Sequence, residues 1–357
     1  MKKLLQILLL LITVFVLYFL FYPVDFEPVA YTPPPNPGLE GVFAKNNDLK
    51  DKAQLLKGIG HGPEDVAKGL DSLFYTGLAN GDIVCFSEGG EHLETFVNTG
   101  GRSLGLKFDT LGNLIAADAV KGLLSISPDK KITVLTDSVD GKKLFFTDDL
   151  DIASDGVIWF TDASQRNHLD AIMREAWELQ PTGRLLSYNP QTKETKIEME
   201  GLRFANGVAI GPNDEFLLVN ETMGMRIHKF WMKDEKKGQS EVLVNELPGY
   251  PDNITFNGKG TFWVALPSIR TNADFEALYD KPFMRKVIRR LPESIIPPPK
   301  IIHYGMLIGI NESGEVIYNM QDPSGSIHDI TSVNQYGDKL YLGSLEMNEV
   351  GVVKIGE

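Results

Sequence analysis

The chain is poor in the residues that build several common kinds of site. It has one cysteine, Cys85, in 357 residues, so no intrachain disulfide can form in any compartment. That cysteine sits in the apolar stretch Asp82-Ile83-Val84-Cys85-Phe86, which suits a buried, inert thiol better than a nucleophile. There are six histidines, and no two have the spacing that pairs them on one helix face around a metal. Basic charge is also scarce. Lys and Arg number 35 against 48 Asp and Glu, for a formal net charge of −13 and a pI near 5.0. A general nucleic-acid binder needs a basic face for the phosphates, and this balance argues against one.

Two motifs are incomplete. Gly101-Arg102-Ser103-Leu104-Gly105 has the spelling of a nucleophile elbow, but that device needs a helix after the serine. Here a strand-like run, Leu106-Lys107-Phe108-Asp109, follows. Gly58-Ile59-Gly60-His61-Gly62 is glycine-rich but lacks the lysine and the helix of a phosphate cradle. We read it as a flexible lead-in to Glu64.

What is present is repetition. A short alternating strand, a turn with Gly, Asp or Asn, a β-rich strand, a polar turn and a further strand recur six times, starting near Val66, Leu106, Leu150, Val208, Ile254 and Val333. The second strands include Val157-Ile158-Trp159-Phe160-Thr161 and Thr261-Phe262-Trp263-Val264-Ala265. A repeat of roughly 40–50 residues built only of strands predicts propeller blades. The fold class is therefore all-β, a six-bladed β-propeller; a β-sandwich would not explain why the repeats share a turn chemistry. Two intervals are too long, residues 165–181 and 271–299, and carry apolar residues at helical spacing. They predict two short helical insertions over a channel mouth, or mere decoration of its rim. Arg285, Lys286, Arg289 and Arg290 lie among apolar residues in the second, a pattern that suits lipid head groups or a solvated face. Asp118, Asp162 and Glu221 end second strands and read as caps of blade turns.

Four turn-rich segments stand just before alternating runs: Gly62-Pro63-Glu64-Asp65, Thr147-Asp148-Asp149-Leu150, Phe204-Ala205-Asn206-Gly207 and Tyr250-Pro251-Asp252-Asn253. Each offers a carboxylate or carboxamide. If each run is the inner strand of a separate blade, the four oxygen-bearing side chains meet at the mouth of a central channel. Oxygen donors of this type suit a hard cation, with calcium the first candidate. His61, three residues before Glu64, is placed for an acid/base role or is a hydrogen-bonded loop residue. His328, before the last inner strand, reads as a substrate contact or as a loop residue.

Residues 4–21 are apolar apart from Gln6 and Thr13, long enough to cross a bilayer as a helix. Lys2 and Lys3 precede the run and favour a cytoplasmic N-terminus. We read residues 1–22 as an uncleaved N-terminal transmembrane helix and anchor, 23–50 as a proline-rich linker and 51–357 as the propeller, outside the cytoplasm. A cleaved signal peptide is the alternative.

At these motifs the chain resembles the strictosidine synthase-like proteins, a group that includes gluconolactonases and paraoxonases. The resemblance covers roughly residues 56–355. It rests on Gly62-Pro63-Glu64, Ala117-Asp118-Ala119-Val120-Lys121-Gly122-Leu123, Asp149-Leu150-Asp151-Ile152 with Phe160-Thr161-Asp162, Leu202-Arg203-Phe204-Ala205-Asn206-Gly207-Val208, Leu247-Pro248-Gly249-Tyr250-Pro251-Asp252-Asn253-Ile254, Ser268-Ile269-Arg270 and Leu340-Tyr341-Leu342-Gly343-Ser344. It implies a six-bladed propeller with calcium or a similar divalent ion at the channel mouth. The metal ligands it implies are Glu64, Asn206 and Asp252, with Asn253 beside them and Asp252 also the general base.

Two departures matter. Asp148-Asp149 stands where the family usually has Asn-Asp, so Asp148 is a further metal ligand or a substrate contact that adds charge. The stretch Asp329-Ile330-Thr331-Ser332-Val333 lacks the glutamate of strictosidine synthase itself, which makes amine–aldehyde condensation improbable. The resemblance implies calcium-dependent hydrolysis of a small ester or lactone, with Asp252 as the base; Asn253 and, by its position, His328 are read as touching the substrate, and His61, by its position, as moving protons. The rival is a non-catalytic binding module for a protein or lipid partner.

Overall fold

The computed structural model describes residues 1–271, 273–292 and 302–355; parts of the second insertion, residues 272 and 293–299, lie outside them. Among the described residues, six four-stranded antiparallel sheets follow one another along the chain. Blade 1 is Ala67–Lys68, Phe74–Gly77, Asp82–Phe86 and Glu94–Asn98. Blade 2 is Ser103–Phe108, Leu114–Asp118, Gly122–Ile126 and Ile132–Thr136. Blade 3 is Thr147–Ile152, Ile158–Asp162, Gly183–Asn189 and Glu194–Leu202. Blade 4 is Ala205–Ile210, Phe216–Glu221, Arg226–Trp231 and Ser240–Val244. Blade 5 is Ile254–Phe256, Phe262–Ala265, Gly305–Ile310 and Val316–Asp322.

Blade 6 is assembled from both sides of the sequence. Ile330–Tyr336, Lys339–Ser344 and Val350–Lys354 take Ala53–Leu56 as their outermost strand, with Ala53 opposite Val353 and Leu56 opposite Val350. The repeats therefore hold four strands, where the sequence pattern marks three. The outer strands escaped because they are half-solvated: in Glu94–Asn98 only Phe96 is buried, so no apolar alternation announces them.

Second strands are almost wholly buried, as in Phe216–Glu221 and Leu114–Asp118, because both faces of the blade pack on neighbours. The apolar clusters lie between successive blades: Ala209, Leu218 and Ile227 of blade 4 pack with Ile254, Phe262 and Ile308 of blade 5. Burial of this kind contributes about 25 cal/mol per Å² of apolar surface.

The axis is stitched by polar groups instead. Asp65 accepts Leu106 N–H of blade 2 at 2.9 Å and the Asn334 carboxamide of blade 6 at 2.6 Å. Asp149 accepts Val208 N–H, and Asp151 accepts Ile210 N–H, both at 2.9 Å. Each aspartate thus supplies the acceptor that an inner-strand amide of the next blade would otherwise lack.

Residues 34–52 pack on this unit. Phe43 and Leu49 are buried in its core, and Gln321 donates to the Phe43 carbonyl at 3.0 Å. A second compact unit comprises residues 1–33, 173–180 and 272–301. It holds the helices Lys2–Phe21 and Pro282–Arg289 and most of Ile172–Glu178. Lys2–Phe21 has 20 residues with a mean hydropathy of 2.8 and none buried, the pattern of a bilayer-spanning helix. Arg285 does not face outward in this unit. It is buried, and donates to the carbonyls of Trp177 at 2.5 Å, Tyr279 at 2.8 Å and Val29. Arg290 binds the carbonyls of Tyr22 at 2.7 Å and Phe19 at 3.0 Å, the orphan acceptors at the end of the apolar helix.

Candidate metal centre

The inner strands of blades 3 and 4 are interrupted at the same place. The pairing register slips between Thr147 and Leu150 and again between Ala205 and Val208. Such bulges break the two-residue alternation and re-aim side chains. Within the first, Asp149 turns to its clasp on blade 4 while its neighbour Asp148 is free for the axis. The second bulge does the same for Asn206.

Glu64 is held by its backbone: its N–H donates to Gly77 O at 3.3 Å and its carbonyl accepts Thr331 Oγ1 at 2.9 Å. A Cβ at Gly343 would fall 1.9 Å from the Glu64 carbonyl oxygen, so only glycine allows this approach. Asp252 is fixed similarly. Its N–H donates to Ala265 O at 3.0 Å, and its carbonyl accepts Gly207 N–H at 3.3 Å and the Asn220 carboxamide. A Cβ at Gly207 would lie 2.6 Å from that carbonyl. Asn253 N–H reaches Thr331 O of blade 6 at 3.0 Å.

These elements bring Glu64, Asp148 and Asp252 together. One oxygen from each lies within 4.8 Å of the other two, and the three residues are 2, 2 and 7% exposed. Burial raises the Glu64 carboxyl well above the usual range, Asp252 and Asp148 push it further, and Arg102 opposes them. Asp148 is raised by burial first, then by Asp252, Asp149 and Asp162. Burial takes Asp252 to about 7 against the hydrogen bonds from Asn206 and the Asn253 N–H. Unpaired buried charge is costly. Several oxygens here also find no partner among the described residues: Glu64 Oε2, Asn206 Oδ1, Asn253 Oδ1 and Asn220 Oδ1 are buried without a hydrogen bond there. Hard oxygen donors in excess of cations fit a divalent ion of the calcium type, and Asn206, whose side chain hydrogen-bonds to Asp252, adds a neutral oxygen beside the carboxylates.

The other candidates have settings of their own. His61 is exposed, its carbonyl bound by Ala79 N–H at 3.0 Å. His328 is half-buried against His303 and Asp329. Ser103 opens a strand and donates to Asp118 at 3.2 Å, so no elbow forms. Asp118, Asp162 and Glu221 are buried caps. Asp118 accepts the N–H groups of Arg102, Val120 and Lys121, each at 3.0 Å. Asp162 takes Arg184 at 2.5 Å. Burial lifts the Cys85 thiol to about 11, with Glu94 adding to the effect. The sequence reading gave no role to Asp65, Asp149 and Asp151. Their signal was the acidic doublet 64–65 and the alternation of Asp149 and Asp151 around Leu150.

The strictosidine synthase family model matches residues 148–235, and the strictosidine synthase-like N-terminal model matches residues 41–86. The adipocyte plasma membrane-associated protein of Bos taurus is 33% identical over 344 residues, covering 90% of this chain and 82% of its own. The chain belongs to the strictosidine synthase-like family. Within that family, protein strictosidine synthase-like 7 of Arabidopsis thaliana is 38% identical over 295 residues, 81% of this chain and 77% of the relative. Among solved structures, a gluconolactonase from Xanthomonas campestris superposes with a TM-score of 0.63 at 15% identity, covering 94% of this chain and 99% of its own. At that identity it supports the propeller fold alone.

Proposed function

We propose that this strictosidine synthase-like protein is a single-pass membrane protein whose propeller hydrolyses small esters or lactones with a divalent cation, calcium first. The observation that carries the proposal is the buried triad of Glu64, Asp148 and Asp252 with unpartnered oxygens around it. A propeller of the same fold is a gluconolactonase, which agrees with this reaction class. Glu64, Asp148, Asn206 and Asp252 would hold the ion, which when bound supplies Lewis acidity toward a carbonyl oxygen and acidifies water.

The protein's own residues do the rest. Asp252 takes a proton as water adds to the carbonyl carbon, and returns it to the departing alkoxide as the C–O bond breaks. An ester gives an acid and an alcohol, and a lactone gives a hydroxy acid. Asn253 and His328 are assigned to substrate contacts and His61 to proton exchange with solvent. From Lys2 and Lys3 we assign the N-terminus to the cytoplasm and the propeller to the other side; protease protection of the propeller in sealed vesicles tests this orientation.

The reaction is tested by hydrolysis of phenyl acetate and simple lactones by the detergent-solubilised chain, with calcium or with chelator. Asp252→Asn should retain the ion and lower turnover at least about a hundredfold. Asp148→Asn should raise turnover, because a third carboxylate weakens the ion's pull on a carbonyl. That third charge is also the observation favouring the second reading, a binding module with no turnover. Absence of calcium-dependent hydrolysis in both wild type and Asp148→Asn would establish the second reading over the first.

A further inference from the structure

A second cluster of donor atoms shares no residue with the carboxylate centre. His303 lies just before Gly305–Ile310 of blade 5, and His328 and Asp329 just before Ile330–Tyr336 of blade 6. The two imidazoles meet edge to face with centroids 4.1 Å apart. Asp329 Oδ2 stands 3.5 Å from His303 Nδ1 and 3.8 Å from His328 Nε2. One donor atom from each of the three residues lies within 4.8 Å of the others.

The surroundings fix the orientation of these donors. His328 Nδ1 is 2.9 Å from the Gly325 carbonyl. A carbonyl only accepts, so Nδ1 donates, and in the neutral ring the lone pair is on Nε2, the nitrogen 3.8 Å from Asp329 Oδ2. Metal-binding histidines are set in this way by a carbonyl behind the ring. Asp329 is held at φ 48°, in the left-handed region that costs a non-glycine residue energy and is found where the surroundings enforce it. The Gly325 loop closes tightly behind His303: a Cβ at Gly325 would lie 2.5 Å from the His303 carbonyl.

We propose that His303, His328 Nε2 and Asp329 bind a transition-metal ion of the zinc class. Two imidazoles and one carboxylate are the donor set of such ions, whereas calcium prefers oxygen alone. Three protein ligands leave a tetrahedral ion one open position. The side chains are 53, 21 and 21% exposed, so that position is open to solvent or to an anionic group. The ion would also clamp the segment leading into blade 5's third strand to the one leading into blade 6. With the ion bound, His328 serves as its ligand, and a substrate would meet the open metal position in place of the bare ring.

The test uses the full chain in detergent, saturated with calcium and then titrated with Zn2+ or with Co2+ as a visible probe. Wild type should retain one zinc per chain through gel filtration, and Co2+ should give the strong visible bands of a four-coordinate site. His303→Gln and His328→Gln should each weaken zinc binding at least tenfold while leaving calcium binding unchanged. Glu64→Gln should leave zinc binding unchanged. Asp329→Asn, which keeps the side-chain shape, should weaken zinc binding even if a histidine variant proves unstable. The proposal fails if calcium-saturated wild type retains no zinc. It fails equally if zinc binds wild type, His303→Gln and Asp329→Asn alike, leaving an ordinary histidine–aspartate ion pair.

Discussion

Glu221 and Glu64 are both buried glutamates, and the protein treats them in opposite ways. Glu221 closes the second strand of blade 4 surrounded by donors: Arg226 Nε at 2.5 Å, His228 Nε2 at 2.7 Å and Arg203 N–H at 2.9 Å. Burial pushes its carboxyl up, but His228 and Arg226 together outweigh it and hold it down at about 2. Glu64 has two carboxylates for company, one opposing arginine and an orphan oxygen, and its carboxyl is pushed up. A fold able to neutralise one glutamate fully leaves the other in deficit beside two more acids. The difference separates a structural carboxylate from one whose counter-charge must come from outside the chain.

The largest expected effect is at the satisfied glutamate. Glu221→Gln should cost about 3 kcal/mol at pH 7, since a shift from 4.5 to about 2 at about 1.4 kcal/mol per unit gives that scale. Its contribution is complete above about 4.5 and is lost as pH falls toward 2, so the variant should lack that acid limb in denaturant midpoints taken across pH. At the unsatisfied centre the slope reverses. With Asp252 raised from 3.8 to about 7, the folded state holds more protons than the unfolded one between these values, and stability falls as pH rises through them. Melting temperature in chelator should therefore drop from pH 4 to pH 8. Calcium at a hundredfold over its Kd should restore about 2.7 kcal/mol and flatten the slope.

Glu64→Gln separates the two glutamates by sign. In chelator at pH 8 it should stabilise the protein by roughly 1–2 kcal/mol, because it removes an acid whose ionisation is opposed by burial and by its two acidic neighbours; with calcium, wild type should overtake it. If Glu64→Gln destabilises the chelated protein as Glu221→Gln does, the contrast collapses. The smallest effect belongs to Asp148→Asn, which should weaken calcium binding about fivefold, near 1 kcal/mol, in a calorimetric titration.

The six blades were legible because inner and second strands carry alternating or continuous apolar runs, and the four oxygen-bearing segments because each sits at such a run's start. What was not legible depends on contacts between distant segments. Nothing local in Glu94–Asn98 marks a strand, and Ala53–Leu56 becomes one only against Val350–Lys354. Whether Asp148 or Asp149 faces the axis depends on a bulge whose register is set by Thr161 and Asp162 across the blade: Asp149 N–H donates to Thr161 Oγ1 at 3.1 Å, and Thr147 pairs with Asp162. Residues 23–50 suggested a bare spacer by their prolines, yet Phe26, Phe43 and Leu49 in that stretch are buried.

The strand Ala53–Leu56 also sets a schedule. It is synthesised before any complete blade, yet its partner follows about 300 residues later, a separation whose loop-closure entropy must be met before the pairing returns anything. Until then its free edge is exposed beside the segment that leads from the apolar helix, the place most open to mispairing with another chain. Ring closure is therefore a late event, and a shortened form intended to fold must retain this strand.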